Sequence, residues 1–182
     1  HERQAYRYFV GNGIPKLVER LAPADQRTPA VLEAALADFK RDYGQHLRDT
    51  TAPYPGIPEM LAKLKANGVQ LAVFSNKADA LAKEVVKDYF GTQYFTIVRG
   101  QMTGVAPKPA AEGTNALLQT LHADPASTLY VGDSNVDVET AHNANLPCCG
   151  AVWGFRTREE LNAAGAEYLA ENSDELYDVI MK

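Results

Sequence analysis

Thr128-Leu129-Tyr130-Val131-Gly132-Asp133-Ser134-Asn135-Val136-Asp137 decides the fold. A short apolar run meets a glycine and a polar turn, and a helical pattern then runs from Val136 to Asn145. A brief strand feeding straight into a helix is the repeating half of a βαβ unit. Upstream, Ile57, Met60, Leu61 and Leu64 mark a helix ended by Asn67-Gly68, and Val69–Phe74 reads as a strand. A helix over Ala80–Phe90, stopped by Gly91, a strand over Tyr94–Val98 and a helix over Ala111–Leu121 follow. Downstream come a strand at Cys148–Val152 and a helix opened by the capping box Thr157-Arg158-Glu159-Glu160. A minor strand at Tyr168-Leu169 precedes a last helix capped by Ser173 and carrying Leu176, Val179 and Ile180. The expected class is α/β with a parallel sheet, whose chemistry collects at the carboxyl ends of the strands.

Residues 1–53 follow another pattern. Ile14, Leu17, Val18 and Leu21 form one apolar helical stripe. Thr28-Pro29 opens a second helix, with Leu32, Leu36, Phe39 and Tyr43 on one face. Gly11-Asn12-Gly13 is a turn or a close approach of backbone. Thr51-Ala52-Pro53-Tyr54-Pro55-Gly56 is the main break, so two units are expected, a helical one at 1–53 and an α/β one at 54–182. The 182 residues carry a net charge of −5 with 46% apolar and 23% charged residues, which excludes disordered and collagen-like chains. The acidic balance argues against nucleic-acid binding, and no apolar run is long enough for a membrane. Cys148 and Cys149 are adjacent, read as small buried side chains, and fit a cytoplasmic protein.

Three polar sets follow three strands: Ser75-Asn76-Lys77, then Pro107-Lys108-Pro109, then Gly132 to Asp137. Gly132 is read as a sharp turn at a strand end. Asp133 and Asp137 are one helical turn apart and form a hard-oxygen cation site suited to Mg²⁺, or else an N-cap and a first-turn acid. Ser75 either holds a phosphate with neighbouring backbone N–H groups or only caps a helix. Lys108 either fixes a positive charge or is a solvated surface lysine. Together, a hydroxyl, a lysine and paired carboxylates in that order suit phosphoryl transfer. Trp153 and Phe155 are read as packing, Arg156 and Arg158 as surface charges, and His46, His122 and His142 as lacking partner spacing.

Phe74-Ser75-Asn76, Lys108-Pro109 and Gly132-Asp133-Ser134-Asn135-Val136-Asp137 resemble the second, third and fourth motifs of the haloacid dehalogenase-like hydrolases. Val10-Gly11-Asn12-Gly13 with the Leu17-Val18-Glu19-Arg20 helix resembles the helical cap of phosphoglycolate phosphatase-like members, and Tyr54-Pro55-Gly56 their return to the core. The resemblance implies a Rossmann-like core with a small helical cap. It also implies a Mg²⁺-dependent phosphatase working through an aspartyl-phosphate. Ser75 and the Asn76 backbone would bind the phosphoryl group, Lys108 would neutralise it, and Asp133 would bind Mg²⁺ with Asp137 supporting or joining it. Gly11, Asn12 and Gly13 would face the substrate from the cap. The expected partner is a small phosphorylated metabolite, with 2-phosphoglycolate foremost, in a monomer or homodimer.

The family's first motif, Asp-x-Asp-Gly-Thr, is absent from the sequence. It would carry the nucleophile and a central strand between those ending at Phe74 and Val131. An N-terminal segment outside this sequence, a truncated fragment or a non-catalytic remnant would each account for that, and the 182 residues alone are expected to be inactive. The alternatives are a phosphate-ligand or protein-binding module, or a sugar-phosphate mutase or pyrophosphatase on the same scaffold. A phosphonate hydrolase would need a Schiff-base lysine in the cap, where Lys16 and Lys40 read as solvated.

Overall fold

The computed structural model describes residues 1–182, the side chain of Arg3 excepted. The N-terminal part is helical: α1 (Tyr6–Phe9), α2 (Ile14–Leu21) and α3 (Pro29–Gln45). Thr28 caps α3, its hydroxyl accepting from Val31 N–H at 3.4 Å. The chain then alternates through α4 (Ile57–Ala66), β1 (Leu71–Ala78), α5 (Asp79–Phe90), β2 (Phe95–Gln101) and α6 (Glu112–Leu121). It continues with β3 (Tyr130–Gly132), α7 (Asn135–Asn143), β4 (Cys148–Ala151), α8 (Arg158–Ala163), β5 (Tyr168–Ala170) and α9 (Ser173–Ile180).

All strand pairings are parallel, as the βαβ reading requires. They fall into two sheets, β2-β1 and β3-β4-β5. β1 therefore pairs on one side only, and β3 pairs only with β4. Val131, mid-strand in β3, is 38% exposed although the adjoining β4 is wholly buried. The open edges are those between which the family resemblance implies a strand.

The β3-β4-β5 sheet separates two apolar layers. Met60, Leu61 and Leu64 of α4 pack with Leu176 of α9, Ala170 and Cys149 on one face. Val138 and Ala141 of α7 pack with Leu161 of α8, Leu146 and Cys148 on the other. Strand alternation sends Cys148 and Cys149 to opposite layers, so they cannot bridge. Burial pushes their thiols up to about 12 and about 11, and they act as small apolar side chains.

Two local expectations are corrected. β1 starts two residues later than expected and extends through Ser75-Asn76-Lys77, with irregular register between Phe74 and Ala78. Asn172, not Ser173, caps α9: its carboxamide oxygen accepts from Asp174 N–H at 3.1 Å and Glu175 N–H at 3.0 Å. Both residue types cap well, and the asparagine reaches two donors.

Candidate active site

A cavity of about 560 Å³ opens beside the ends of β1, β3 and β4 and under α2 and α3. Ser75, Asn76, Lys108, Asp133 and Asp137 all line it, as do Gly11 and Gly13. Asn12 instead faces a neighbouring hollow with Lys16 and Gln101. Asp133 and Asp137 are the only carboxylate residues lining the cavity among the described residues.

Lys108 and Asp137 form its centre. Their side chains are 11% and 10% exposed, and Nζ donates to Asp137 Oδ1 at 2.6 Å. Burial alone would push the ammonium down, but the charge of Asp137 helps raise it above the ordinary lysine value. The other oxygen, Asp137 Oδ2, accepts from Ser134 Oγ at 2.7 Å, Ser134 N–H at 3.1 Å and Asp133 N–H at 3.2 Å. Both oxygens of Asp137 thus face protein donors. The Tyr130 ring lies 5.9 Å from Lys108 Nζ, its phenol pushed up to about 12 by burial.

Asp133 is freer. Its Oδ2 accepts from Phe155 N–H at 3.1 Å, which leaves its other oxygen for a cation. Burial, then the charge of Asp137, raises its carboxyl above the usual range. A half-buried carboxylate beside a second one fits one flank of a Mg²⁺ site. The described residues contain no cluster of three His, Cys, Asp or Glu that would complete it.

Close backbone approach explains two glycines. A Cβ at Gly132 would overlap the side chain of Asp137, and one at Gly154 would overlap the carboxylate of Asp133. The chain bends at Asp133 and Ser134, directly after Gly132 as expected, but without a positive φ at Gly132, whose missing side chain makes room for the acid.

Asn76 acts through its side chain. Nδ2 donates to Gly11 O at 2.8 Å and Lys108 O at 3.1 Å, and Oδ1 accepts from Lys108 N–H at 2.8 Å. One buried carboxamide thus joins β1, the Lys108 loop and the N-terminal helical segment. The Ser75 hydroxyl lines the cavity and accepts from Lys77 N–H at 3.1 Å.

Sequence reasoning missed Arg156. It is buried, not a surface charge; it donates to Arg7 O at 2.6 Å and stacks 4.8 Å from the Tyr8 ring. Arg7 returns the contact, donating to Gly154 O at 2.6 Å. Arg156 N–H also donates to Asp133 O at 3.1 Å. No sequence spacing could reveal pairings across 147 to 149 residues. His46 and His142 do have partners, Asp49 at 2.7 Å and Glu167 at 3.0 Å.

The sequence pattern of haloacid dehalogenase-like hydrolases matches residues 1–151. The chain belongs to the haloacid dehalogenase-like hydrolases. It is 30% identical over 159 residues to the phosphoglycolate phosphatase of Mesorhizobium japonicum, covering 86% of this chain and 70% of that protein. It is 33% identical over 150 residues to the phosphoglycolate phosphatase of Neisseria meningitidis, covering 81% of this chain and 64% of that protein. The chain thus spans about two thirds of the length of these relatives. A crystal structure from Lactobacillus delbrueckii subsp. bulgaricus, provisionally assigned as a phosphoglycolate phosphatase, superposes with a TM-score of 0.92 at 26% identity, covering 99% of this chain and 83% of that one. This hydrolase sits in the phosphoglycolate phosphatase-like branch, among phosphoric monoester hydrolases.

Proposed function

We propose that the chain is the larger part of a Mg²⁺-dependent phosphatase of small phosphorylated metabolites, with 2-phosphoglycolate as substrate. The observation that carries this reading is the buried Lys108–Asp137 ion pair, in one cavity with Ser75 and the freer carboxylate of Asp133. The relatives named for phosphoglycolate support the substrate.

In this reading residues 1–53 cap the core of residues 54–182. Ser75 Oγ and the Asn76 backbone N–H hold phosphoryl oxygens, and the ammonium of Lys108 neutralises the charge that develops on them. Asp137 keeps Lys108 charged and aimed. Asp133 would hold Mg²⁺, which when bound adds positive charge at the phosphoryl group. The nucleophile is an aspartate carried outside residues 1–182. Its carboxylate oxygen bonds to phosphorus as the ester P–O bond breaks, and the leaving oxygen takes a proton. Water then cleaves the acyl phosphate, releasing phosphate and restoring the carboxylate. The open edges of β1 and β3 support a strand entering there with that aspartate. The protein is read as cytoplasmic, as monomer or homodimer.

The test is phosphate release from 2-phosphoglycolate. A protein extended at its N-terminus by a segment bearing Asp-x-Asp-Gly-Thr is expected to turn over with Mg²⁺, and residues 1–182 alone are not. Turnover by residues 1–182 that disappears in Asp133→Ala would overturn the placement of the nucleophile.

A further inference from the structure

Arg156 is a buried cation to which the proposed reaction gives no task. It belongs to residues 152–157, which join β4 to α8 without regular structure. Three residues of this loop touch Asp133. Phe155 N–H donates to Asp133 Oδ2 at 3.1 Å, and Arg156 N–H donates to Asp133 O at 3.1 Å. Gly154 packs so closely that a Cβ there would overlap the carboxylate. The loop therefore sets the direction in which Asp133 presents its remaining oxygen.

The loop is in turn anchored from α1. Arg156 Nη1 donates to Arg7 O at 2.6 Å, and its guanidinium lies 4.8 Å from the centre of the Tyr8 ring. The Arg7 guanidinium donates back to Gly154 O at 2.6 Å. A guanidinium taken out of water is costly unless such partners hold it. α1 is four residues long and has no buried residue. Charge-assisted hydrogen bonds and an aromatic stack, rather than apolar burial, thus tie it to the loop that carries Gly154 and Arg156.

We infer that Arg156 is a positioning residue for the cation site: with Arg7 it clamps the loop that aims Asp133, so the docking of α1 and the binding of Mg²⁺ support each other. This rests on the phosphatase reading and deepens it. Groups that orient a metal ligand from behind commonly govern affinity by about ten- to a hundredfold. Here the control passes through the backbone of Gly154, Phe155 and Arg156, which fixes one carboxylate oxygen and leaves the other for the cation. The coupling runs both ways: whatever α1 docking adds to Mg²⁺ affinity, Mg²⁺ adds to α1 docking.

Two measurements on the full-length protein test this. Titration calorimetry gives the affinity for Mg²⁺ and, separately in EDTA, for inorganic phosphate. Arg156→Ala is expected to weaken Mg²⁺ roughly tenfold and to bind phosphate as the wild type does, which also shows that the variant is folded. Arg7→Met leaves the loop sequence intact and should weaken Mg²⁺ in the same direction, by less. Amide hydrogen exchange at residues 5–11 should slow when Mg²⁺ is added to wild type, and should not slow in Arg156→Ala saturated with Mg²⁺. Unchanged Mg²⁺ affinity in both variants, or equal slowing at residues 5–11 in wild type and Arg156→Ala, overturns the clamp. So does equal loss of Mg²⁺ and phosphate in both variants, or loss of phosphate alone, which would make Arg156 an anion contact. If Asp133→Ala binds Mg²⁺ as wild type does, the phosphatase reading fails and the clamp falls with it. If Asp133→Ala abolishes Mg²⁺ binding while Arg156→Ala leaves it untouched, only the clamp falls.

Discussion

Lys108→Met removes one partner of a buried ion pair and keeps the unbranched stem, one atom shorter. The pair is 2.6 Å apart with both side chains about nine-tenths buried. Taking away one member of such a pair costs about 3–5 kcal/mol, because the other charge stays buried without its counter-charge. Here the cost falls at the lower end, about 3 kcal/mol, since three donors still hold Asp137 Oδ2. For a chain of this length that is a fall in Tm of roughly 6–12 °C. Asp137→Asn keeps an acceptor but removes the charge, and is expected to cost about 2–3 kcal/mol. The double variant Lys108→Met/Asp137→Asn holds no orphaned charge. It should be less damaged than the summed single losses by about 1.5–3 kcal/mol. Urea unfolding of the four proteins, followed by circular dichroism at a common pH, measures that coupling. Additivity within about 0.5 kcal/mol would refute the claim that the two side chains act as one unit.

Three further outcomes follow from the geometry. Gly154→Ala puts a methyl into the Asp133 carboxylate, so a loss of about 1–3 kcal/mol is expected in urea unfolding, together with weaker Mg²⁺ binding by calorimetry. Arg156→Ala unties α1 from the loop that holds Asp133, and amide hydrogen exchange should accelerate at residues 5–11 and 153–157 and leave α9 unchanged. Asp79 is held below the usual carboxylate range by hydrogen bonds from Lys83 Nζ and Gly100 N–H, the second tying α5 to β2. A depressed carboxyl stabilises the fold above its unfolded value of about 3.9, and that stability goes as pH falls through its lower folded value. Unfolding measured from pH 6 down to pH 3 should therefore show a smaller acid-induced loss in Asp79→Asn than in wild type.

What the sequence revealed is what topology alone determines. Once strands alternate with helices, the connections force parallel pairing, and parallel strands bring their carboxyl ends to one rim. Ser75, Lys108 and Asp133 could be assigned to one place without a single distance. What stayed hidden depends on side chains meeting across long stretches of chain. Asn76 was read for its backbone N–H, yet its carboxamide has partners 32 and 65 residues away. Arg156 looked like the charged flank of a capping box, and only the folded chain lays Tyr8 beneath it. Gly132 was noticed for the turn that follows it but not for the room it leaves, because that space is visible only when Asp137 occupies it.

The split sheet gives the lysine loop a second task. β1 and β3 share no hydrogen bonds, so nothing in the strand pairing joins the β2-β1 sheet to the β3-β4-β5 sheet. Lys108 spans that gap. Its backbone N–H and C=O are both bound by Asn76 of β1, while its ammonium reaches Asp137 of α7, the helix that follows β3. The chain Asn76–Lys108–Asp137 is thus a polar bridge between two half-sheets, with three members that are each largely buried. A strand entering between β1 and β3 would meet both edges beside this bridge, and any carboxylate at its end would arrive near the Lys108 ammonium. The groups that hold the halves in register are then the groups to which the proposed reaction assigns the positioning of charge for phosphoryl transfer. Stability and phosphate binding should accordingly fail together when the bridge is cut at Lys108 or Asp137.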